Sequence, residues 1–293
     1  MTVLITGANG QVGWELARQA KEKNIPHVGL NRNQLDITSK DQVQTVINTI
    51  KPDLVINAAA YTAVDKAETE KDLAFAVNQL GPRYLAQACS KLDIPIIHLS
   101  TDYVFDGTKG TPYTPEDKPN PINVYGESKL AGEQEVQKYC DKYIIFRTSW
   151  VFGIHGSNFV KTMIRFAADG HSPKVVSDQK GSPTSAKSIA NVLLPTIDRI
   201  GAKKWECFGI QNLAGCPVTS WYELALKIFD FAKRLGASSD LEVYPVLSKD
   251  YPSEASRPKY TALEINPLFK KFLNVHTEWE PEINRTVEQL FRL

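Results

Sequence analysis

The sequence predicts an α/β protein in which a doubly wound parallel sheet is followed by a smaller C-terminal α/β domain. Short β-branched runs alternate with longer segments of helical period through the first half of the chain. A glycine-rich turn joins the first of these runs to the first helical segment. The chain has 293 residues, of which 42% are hydrophobic and 23% charged, so it can bury a large core.

Five short apolar runs bounded by turn residues are predicted strands: Thr2 to Thr6, His27 to Leu30, Asp53 to Asn57, Pro95 to Ser100 and Tyr143 to Thr148. Helical segments fill the gaps between them. Ser39 and Gln42 resemble a capping box that opens a helix ending near Ile50. A later helical segment, from about residue 72 to 92, contains Gly81 and Pro82, where we expect a break or a kink.

The alternation becomes less regular after Trp150, and we place a domain boundary there. The first domain is predicted to span residues 1–150 and the second residues 151–293. The second contains predicted helices near residues 159–168, 185–200 and 220–235. Two strand-like segments, near 174–178 and 205–212, could instead return to the first sheet.

The charge balance excludes several classes of partner. A formal net charge of +1 and a pI near 7.6 favour neither nucleic acid nor an anionic membrane. No apolar run is long enough to span a bilayer and no cleavable leader is recognised, so we expect a cytoplasmic protein. The cysteines are scattered without a metal-binding or disulfide pattern, so we expect no metal and buried free thiols at Cys89, Cys140, Cys207 and Cys216.

The glycine-rich turn reads "TGANGQVGWEL" and has the spacing G-x-x-G-x-x-G. A phosphate needs close backbone approach and free N–H groups at a helix N-terminus, and glycines allow both. An ordinary strand-to-helix turn is the alternative, but the strand before it and the helix after it favour dinucleotide binding by a Rossmann domain. The turn assigns to the cofactor Gly7, Gly10, Gln11, Val12 and Gly13.

The end of the second predicted strand indicates which dinucleotide binds. A carboxylate there would hydrogen-bond the ribose 2′-OH of NAD, but this chain has Asn31 and Arg32. Because Arg32 can bind a 2′-phosphate, NADPH is favoured and NADH remains possible. The alternative is that Arg32 is a solvated surface charge.

Thr101, Tyr125 and Lys129 are the predicted catalytic residues. Thr101 ends the fourth strand, at the edge where a doubly wound sheet binds its ligands, although Thr-Asp also suits a plain turn. Tyr125 and Lys129 share one helix face, a spacing that arises about once by chance in a chain of this composition. An adjacent ammonium should lower the pKa of Tyr125 by ~2–3 units. The set suits carbonyl reduction, with Tyr125 as proton donor.

Eight motifs occur in order along nearly the whole chain: "GQVGWEL", "NAAAYTAVDKAE", "STDYVFDG", "NVYGESKLAGE", "FRTSWVFG", "NFVKTM", "DQKGSPT" and "SRP". Through them the chain resembles the extended short-chain dehydrogenase/reductases and, more narrowly, the dTDP-4-dehydrorhamnose reductase family. The resemblance implies NAD(P)H-dependent reduction of the C4 ketone of dTDP-4-dehydro-L-rhamnose to dTDP-L-rhamnose. It makes residues 1–150 the dinucleotide-binding domain and residues 151–293 the substrate-binding domain.

The same resemblance implies further site residues. Those added to the cofactor site are Asp36, Ile37, Ala58, Ala59, Ala60 and Asn78, together with Tyr125 and Lys129. Val64, Tyr103 and Trp150 would line the sugar site, while Asn158 and Arg257 would reach the nucleotide diphosphate. The alternatives are that Trp150 is a core aromatic, that Arg257 is a surface charge and that the alanines only pack helix against sheet.

Oligomeric state and rival functions also follow from the resemblance. Some relatives dimerise around magnesium held by acidic residues, and Glu15 matches one of these, but Lys187 and Gln289 occupy the other two positions. We therefore expect a monomer or a dimer not bridged by metal.

A nucleotide-sugar epimerase or 4,6-dehydratase is one rival function, although a dehydratase would carry Asp-Glu where this chain has Asp102 and Tyr103. A non-catalytic NADP-binding regulatory subunit is the other.

Overall fold

Six parallel strands form the central sheet: β1 (Val3–Thr6), β2 (His27–Leu30), β3 (Leu54–Asn57), β4 (Ile96–Thr101), β5 (Tyr143–Thr148) and β10 (Gly209–Asn212). A computed structural model describes residues 1–201, 209–265 and 277–291. The strands lie in the order β10-β5-β4-β3-β1-β2, with Val3 opposite both His27 and Leu54. The chain reverses direction across the sheet between β1 and β3, which creates a ligand crevice at the carboxyl ends of the strands. The predicted doubly wound fold is confirmed.

Helices cover both faces of this sheet. The described α-helices are α1 (Gln11–Glu22), α2 (Lys40–Ile50), α3 (Val64–Ala67), α4 (Lys71–Phe75), α5 (Gly81–Lys91), α6 (Val124–Tyr139), α7 (Phe159–Ala168), α8 (Ala186–Gly201), α9 (Trp221–Arg234) and α10 (Trp279–Phe291). Because successive strand residues point to opposite faces, Val3 and Ile5 pack in one apolar cluster with α1 and α8. Leu4 packs in another cluster with α2, α5 and α6. None of the described helices is long and apolar enough to cross a membrane.

Two local predictions are modified by the structure. The irregularity expected at Gly81 and Pro82 is a π-helical turn, Ala76–Leu80, that leads directly into α5. Proline is tolerated there because the first turn of a helix needs no N–H from it. Only half of the predicted capping box forms: the Ser39 side chain accepts from the Gln42 N–H, but the Gln42 side chain accepts from the Asp36 N–H at 3.2 Å instead.

Three two-stranded sheets lie outside the central one. They pair β6 (Val151–Phe152) with β9 (Thr184–Ser185), β7 (Lys174–Val176) with β12 (Tyr244–Val246), and β8 (Lys180–Gly181) with β11 (Thr219–Ser220). The segment near 174–178 therefore does not return to the central sheet, because Val175 is buried against α7 and α9. Residues 209–212 do return, as β10 beside β5.

Residues 205–208, part of the second strand-like segment, lie outside the described residues, as does Cys207. Cys89 and Cys140 are buried free thiols, as expected, whereas Cys216 is only partly buried. The boundary at residue 150 stays a prediction.

Candidate active site

The glycine turn after β1 is shaped by backbone contacts that exclude a side chain. Gly7 has φ +68°, and a β-carbon added there would lie 2.6 Å from the Ala59 nitrogen. At Gly13 an added β-carbon would lie 2.2 Å from the Gly7 carbonyl oxygen. Gly10 is the N-cap of α1 and no side chain caps that end of the helix. The first turn of α1, which contains Gln11 and Val12, is thus open to a phosphate.

A cavity of about 240 Å³ lies beside this turn. Among its lining residues are Gly7, Gly10, Arg32, Asp36, Ile37, Ala58, Ala59 and Ala60, all predicted to bind the cofactor. Arg32 is exposed at its rim and no carboxylate ends β2. Asp36 accepts hydrogen bonds from the backbone and the side chain of Thr38 at 3.0 and 2.8 Å, which fixes its carboxylate at the edge of the cavity. We call this space the cofactor cavity.

Asn78 lies behind the cofactor cavity and does not line it. Its side-chain oxygen accepts from the Tyr61 N–H at 2.8 Å. Its amide nitrogen donates to the Tyr61 carbonyl and to the Ser128 hydroxyl, both at 3.0 Å. Asn78 thus ties the loop after β3 to α6, and its contact with the cofactor stays a prediction.

A second cavity, of about 500 Å³, lies at the carboxyl ends of β4 and β5. We call it the catalytic cavity. It brings together two of the predicted catalytic residues, Thr101 and Tyr125, with Gln11 from α1. All five predicted substrate residues also line it: Val64, Tyr103, Trp150, Asn158 and Arg257.

Tyr125 is in the first turn of α6, where the Asn123 side chain caps the helix by accepting from the Gly126 N–H at 2.8 Å. Its hydroxyl hydrogen-bonds to Thr101. Burial raises the pKa of Tyr125 to about 12, because the Thr101 bond, which lowers it, is weaker than the effect of desolvation. The prediction that a neighbouring ammonium lowers the pKa of Tyr125 is therefore wrong in this structure.

Lys129 lies one turn further along α6 and is 2% exposed. Its Nζ donates to the Leu99 carbonyl at 2.6 Å, so the ammonium is fixed under β4 and does not line the catalytic cavity. Burial lowers the pKa of Lys129 to about 8, while the charge of Glu133 opposes that shift. Lys129 is thus mostly protonated at neutral pH.

A buried ion pair supports the end of β4 and was not predicted. Glu133 and Arg147 are 0% and 1% exposed, and their two hydrogen bonds measure 3.0 and 2.7 Å. The Ser100 hydroxyl donates to the same carboxylate at 2.5 Å, directly before Thr101. A charged residue within the otherwise apolar strand "YIIFRT" is the sequence signal that could have revealed this pair.

Two glycines let α6 approach the site closely. A β-carbon at Gly126 would lie 2.2 Å from the Tyr103 carbonyl oxygen, and one at Gly132 would lie 2.0 Å from the Asn78 carbonyl oxygen. Because neither glycine has a side chain, α6 packs closely enough to bring Tyr125 against the turn that follows Thr101. The Tyr103 and Tyr125 rings then meet edge to face, 5.7 Å apart.

Trp150 forms a wall of the catalytic cavity in a backbone conformation that is rare for a bulky residue, with φ +46°. Its ring stacks on Trp221 at 3.5 Å, and a β-carbon at Gly181 would collide with it. Trp221 and Phe159, which were not predicted, line both this cavity and a neighbouring one of about 300 Å³. Only the fold brings these aromatic residues from α7 and α9 together.

Arg257 and Asn158 are both held by other side chains. Arg257 donates to both carboxylate oxygens of Asp65 at 3.0 and 2.7 Å, and this guanidinium holds the pKa of Asp65 below its usual value. Asn158 caps α7 and donates to the Gln11 side chain at 2.8 Å. Arg257 is therefore a partly buried ion-pair partner and not a freely solvated charge.

Comparison with known proteins agrees with this geometry. The family model described as the RmlD substrate binding domain matches residues 1–292. The dTDP-4-dehydrorhamnose reductase of Aggregatibacter actinomycetemcomitans is 42% identical, with 95% of each chain covered. The reductase of Escherichia coli K12 is 37% identical, over 99% of this chain and 98% of its own.

Solved structures give the same result. The reductase from Clostridium acetobutylicum superposes with a TM-score of 0.90 at 39% identity, with 99% of each chain covered. The reductase from Bacillus anthracis, solved in complex with NADP, has a TM-score of 0.89 at 37% identity, over 98% of this chain and 99% of its own. A UDP-glucose 4-epimerase from Thermus thermophilus shares the fold at 20% identity and a TM-score of 0.80, over 100% of this chain and 99% of its own. The chain belongs to the dTDP-4-dehydrorhamnose reductase family.

Proposed function

We propose that the protein reduces the C4 ketone of dTDP-4-dehydro-L-rhamnose to dTDP-L-rhamnose with NADPH. The observation that carries this proposal is the hydrogen-bonded pair Thr101 and Tyr125 in the wall of the catalytic cavity. A carbonyl oxygen near this pair would meet a hydroxyl that can hold it and a second hydroxyl that can protonate it. The full-length similarity to reductases of this name supports the choice of substrate.

The cofactor cavity fits a dinucleotide. Gly7 and Gly13 allow a tight turn in which an added β-carbon would collide with neighbouring backbone, and the open end of α1 offers backbone N–H groups to a pyrophosphate. Arg32 at the rim suits the 2′-phosphate of NADPH, and NADH lacks this contact. When bound, the cofactor supplies the hydride that adds to C4.

Tyr125 is the proton donor in this proposal. With its pKa raised to about 12, the phenol keeps its proton at neutral pH. The C4 alkoxide that develops during reduction is a stronger base than a phenolate, so the proton moves from Tyr125 to the C4 oxygen. Thr101 holds that oxygen in place during the transfer. Lys129, on the same face of α6, donates to the Leu99 carbonyl and so supports the end of β4 that presents Thr101.

The nucleotide is assigned to the space next to the catalytic cavity. The neighbouring cavity shares Phe159, Trp221 and Arg257 with it and adds Lys174 on β7. An aromatic wall suits a base, and the cations suit a diphosphate. Arg257 stands at the junction, where a sugar in the catalytic cavity would join its diphosphate.

The rival functions lack comparable support. The epimerase similarity is at 20% identity and concerns the fold alone. Asp102 is followed by Tyr103, so the second acidic residue of a dehydratase is missing. A regulatory subunit would have no need of the Thr101 and Tyr125 pair.

A coupled assay tests the proposal directly. The 4-keto sugar nucleotide is generated in situ by the upstream enzymes, NADPH is added, and both cofactor absorbance and the sugar product are followed. We expect NADPH consumption with dTDP-L-rhamnose as product. Tyr125→Phe should abolish turnover but keep NADPH binding, measured by quenching of tryptophan fluorescence. If neither NADPH nor NADH is consumed by the wild type, the reductase proposal is refuted.

A surface cavity beside α1 bears on the oligomeric state. Glu15 pairs with Arg18 at 2.6 Å, and Lys187 pairs with Glu282 at 3.6 Å, in one surface cavity that also contains Gln289. Cations in this cavity support a monomer or a dimer that is not bridged by metal. A cytoplasmic location stays a prediction.

A further inference from the structure

Asp102 is a buried carboxyl group to which the reduction mechanism assigns no role. It opens the short 3-10 turn Asp102–Val104 after β4, lines the catalytic cavity and is 2% exposed. Among the residues that the structure describes, no group meets hydrogen-bond geometry at its Oδ2 atom, and a weaker interaction of the carboxyl group with the Thr261 side chain favours the ionised form. A carboxylate buried in this way is costly, whereas the neutral acid is much less so.

Tyr103, on the same turn, and Tyr125, on α6, interact electrostatically with Asp102, and Arg257 faces Tyr103. Lys129 and Glu133 are buried charged residues further along α6. The two cations among them are held elsewhere. Lys129 donates to the Leu99 carbonyl, and Arg257 pairs with Asp65. Burial is thus the strongest influence on this carboxyl group, and it raises the pKa of Asp102 to about 7.

The hydroxyl of Thr101 links Asp102 to the proton donor. Its oxygen lies 3.1 Å from Asp102 Oδ1, accepts from the Tyr103 N–H at 3.2 Å and also meets the Tyr125 hydroxyl. A hydroxyl has one hydrogen and two lone pairs. When Asp102 is ionised, the only hydrogen of Thr101 points to the carboxylate. Tyr125 must then direct its own proton at Thr101 and away from a substrate.

The neutral acid reverses this arrangement. Protonated Asp102 donates to Thr101, so the Thr101 hydrogen becomes free to point at the Tyr125 oxygen or at a ketone oxygen. Thr101 then stabilises the tyrosinate that proton transfer creates, and the Tyr125 proton is free to face the substrate.

We propose that Asp102 is a positioning residue that sets the direction of the hydrogen bond between Thr101 and Tyr125, and that its neutral form supports reduction. This inference rests on the reductase function proposed above. During the step, the Tyr125 O–H bond breaks as the new O–H bond forms on the C4 oxygen. Asp102 keeps its proton throughout and Thr101 only reorients, so no further proton donor is required.

The pH dependence of kcat tests the inference at saturating NADPH and sugar nucleotide. The wild type should lose up to about tenfold in kcat per pH unit above the Asp102 pKa. Asp102→Asn offers an amide that donates to Thr101 as the neutral acid does but cannot ionise. This variant should keep its kcat from about pH 7 to 9 and exceed the wild type at the alkaline end. If kcat of the variant falls at alkaline pH with the same midpoint as in the wild type, the inference is overturned and the fall is assigned to Lys129.

Asp106→Asn is the matched control. Hydrogen bonds from Asn120 and Thr108 hold the pKa of Asp106 well below its usual value, so this carboxylate does not titrate near neutrality. The control should therefore keep the wild-type midpoint. A midpoint that moves in the control as it does in Asp102→Asn would count against a specific role for Asp102.

Infrared difference spectroscopy gives a second readout that needs no turnover. The wild type should show a carboxylic acid C=O band near pH 6 that disappears by about pH 8–9, and Asp102→Asn should lack it. Absence of this band from the wild type at pH 6 would refute the neutral form. A wild type without reductase activity would refute the proposed function, whereas an active wild type with a flat pH profile would refute only the role of Asp102.

Discussion

Replacement of Glu133 by Gln should destabilise the protein strongly although the change is nearly isosteric. Glu133 is fully buried and offers both carboxylate oxygens to Arg147, and it also accepts from Ser100. The variant keeps the shape but leaves the Arg147 guanidinium buried with no opposite charge. Breaking a buried ion pair on one side costs about 3–5 kcal/mol, far more than the pair contributes over an apolar replacement.

The expected shift in melting temperature follows from chain length. A loss of about 1 kcal/mol lowers Tm by ~2–4 °C in domains of 150–250 residues, so Glu133→Gln should lower Tm by roughly 6–20 °C. Urea unfolding followed by circular dichroism measures the free energy directly. A loss below about 1 kcal/mol would refute the reasoning, because this is the range of exposed pairs.

A double variant provides the control. Glu133→Leu with Arg147→Met removes both charges and fills the space with apolar atoms, so it should be more stable than Glu133→Gln. If the double variant is the less stable of the two, the unpaired charge is not the cause of the loss. Because the charge of Glu133 opposes the lowering of the Lys129 pKa, Glu133→Gln should lower that pKa further.

Three further changes have defined outcomes. Arg32→Ala should raise the KM for NADPH about tenfold, the effect of one charge-assisted contact, and leave the KM for NADH unchanged; equal losses in steady-state kinetics would remove its assigned role. Gly132→Val should lower both Tm and activity, because its β-carbon would lie 2.0 Å from the Asn78 carbonyl oxygen, and unchanged calorimetry would contradict this contact. Asp65→Asn should raise the KM for the sugar nucleotide more than it lowers kcat, because Arg257 loses its partner. The pKa of Asp65 in the folded protein lies below its usual value of 3.8. The extra stability of the wild type over Asp65→Asn is therefore present above pH 3.8 and is lost as the pH falls through the pKa of the folded protein. Denaturation curves of the two proteins should converge in acid.

Gly153→Ala is a control for the glycine variant. Its β-carbon would lie 3.4 Å from the Ala186 β-carbon, which is an ordinary contact. Tm should therefore change little. A loss as large as that of Gly132→Val would indicate a general sensitivity to larger residues and not a specific backbone approach.

Structural features that depend on short stretches of the chain could be predicted from the sequence. The first five strands lie within one residue of their expected ends, because β-branched runs between turn residues are local signals. Helix α7 begins and ends at the expected residues. The glycine turn was recognisable because its spacing reflects a backbone requirement that Gly7 and Gly13 meet.

The protonation states at the site and the support behind it depend on contacts distant in sequence. Local spacing placed Lys129 near Tyr125, but the Leu99 carbonyl holds the ammonium and burial sets the pKa of the phenol. The hydrogen bonds of Asn78 to Tyr61 and Ser128 could not be predicted either, because these partners are 17 and 50 residues away in sequence. The pKa values and hydrogen-bond partners of these buried groups can be judged only when desolvation and competing hydrogen bonds are compared in the folded chain.

The segment after β3, which includes the start of α3, contributes to both cavities. Ala58, Ala59 and Ala60 line the cofactor cavity, Val64 lines the catalytic cavity, and Asn78 holds the loop between them. A ligand that shifts this loop from one side changes the space offered on the other. By thermodynamic linkage the effect must be reciprocal: if NADPH changes the affinity for the sugar nucleotide by some factor, the sugar nucleotide changes the affinity for NADPH by the same factor.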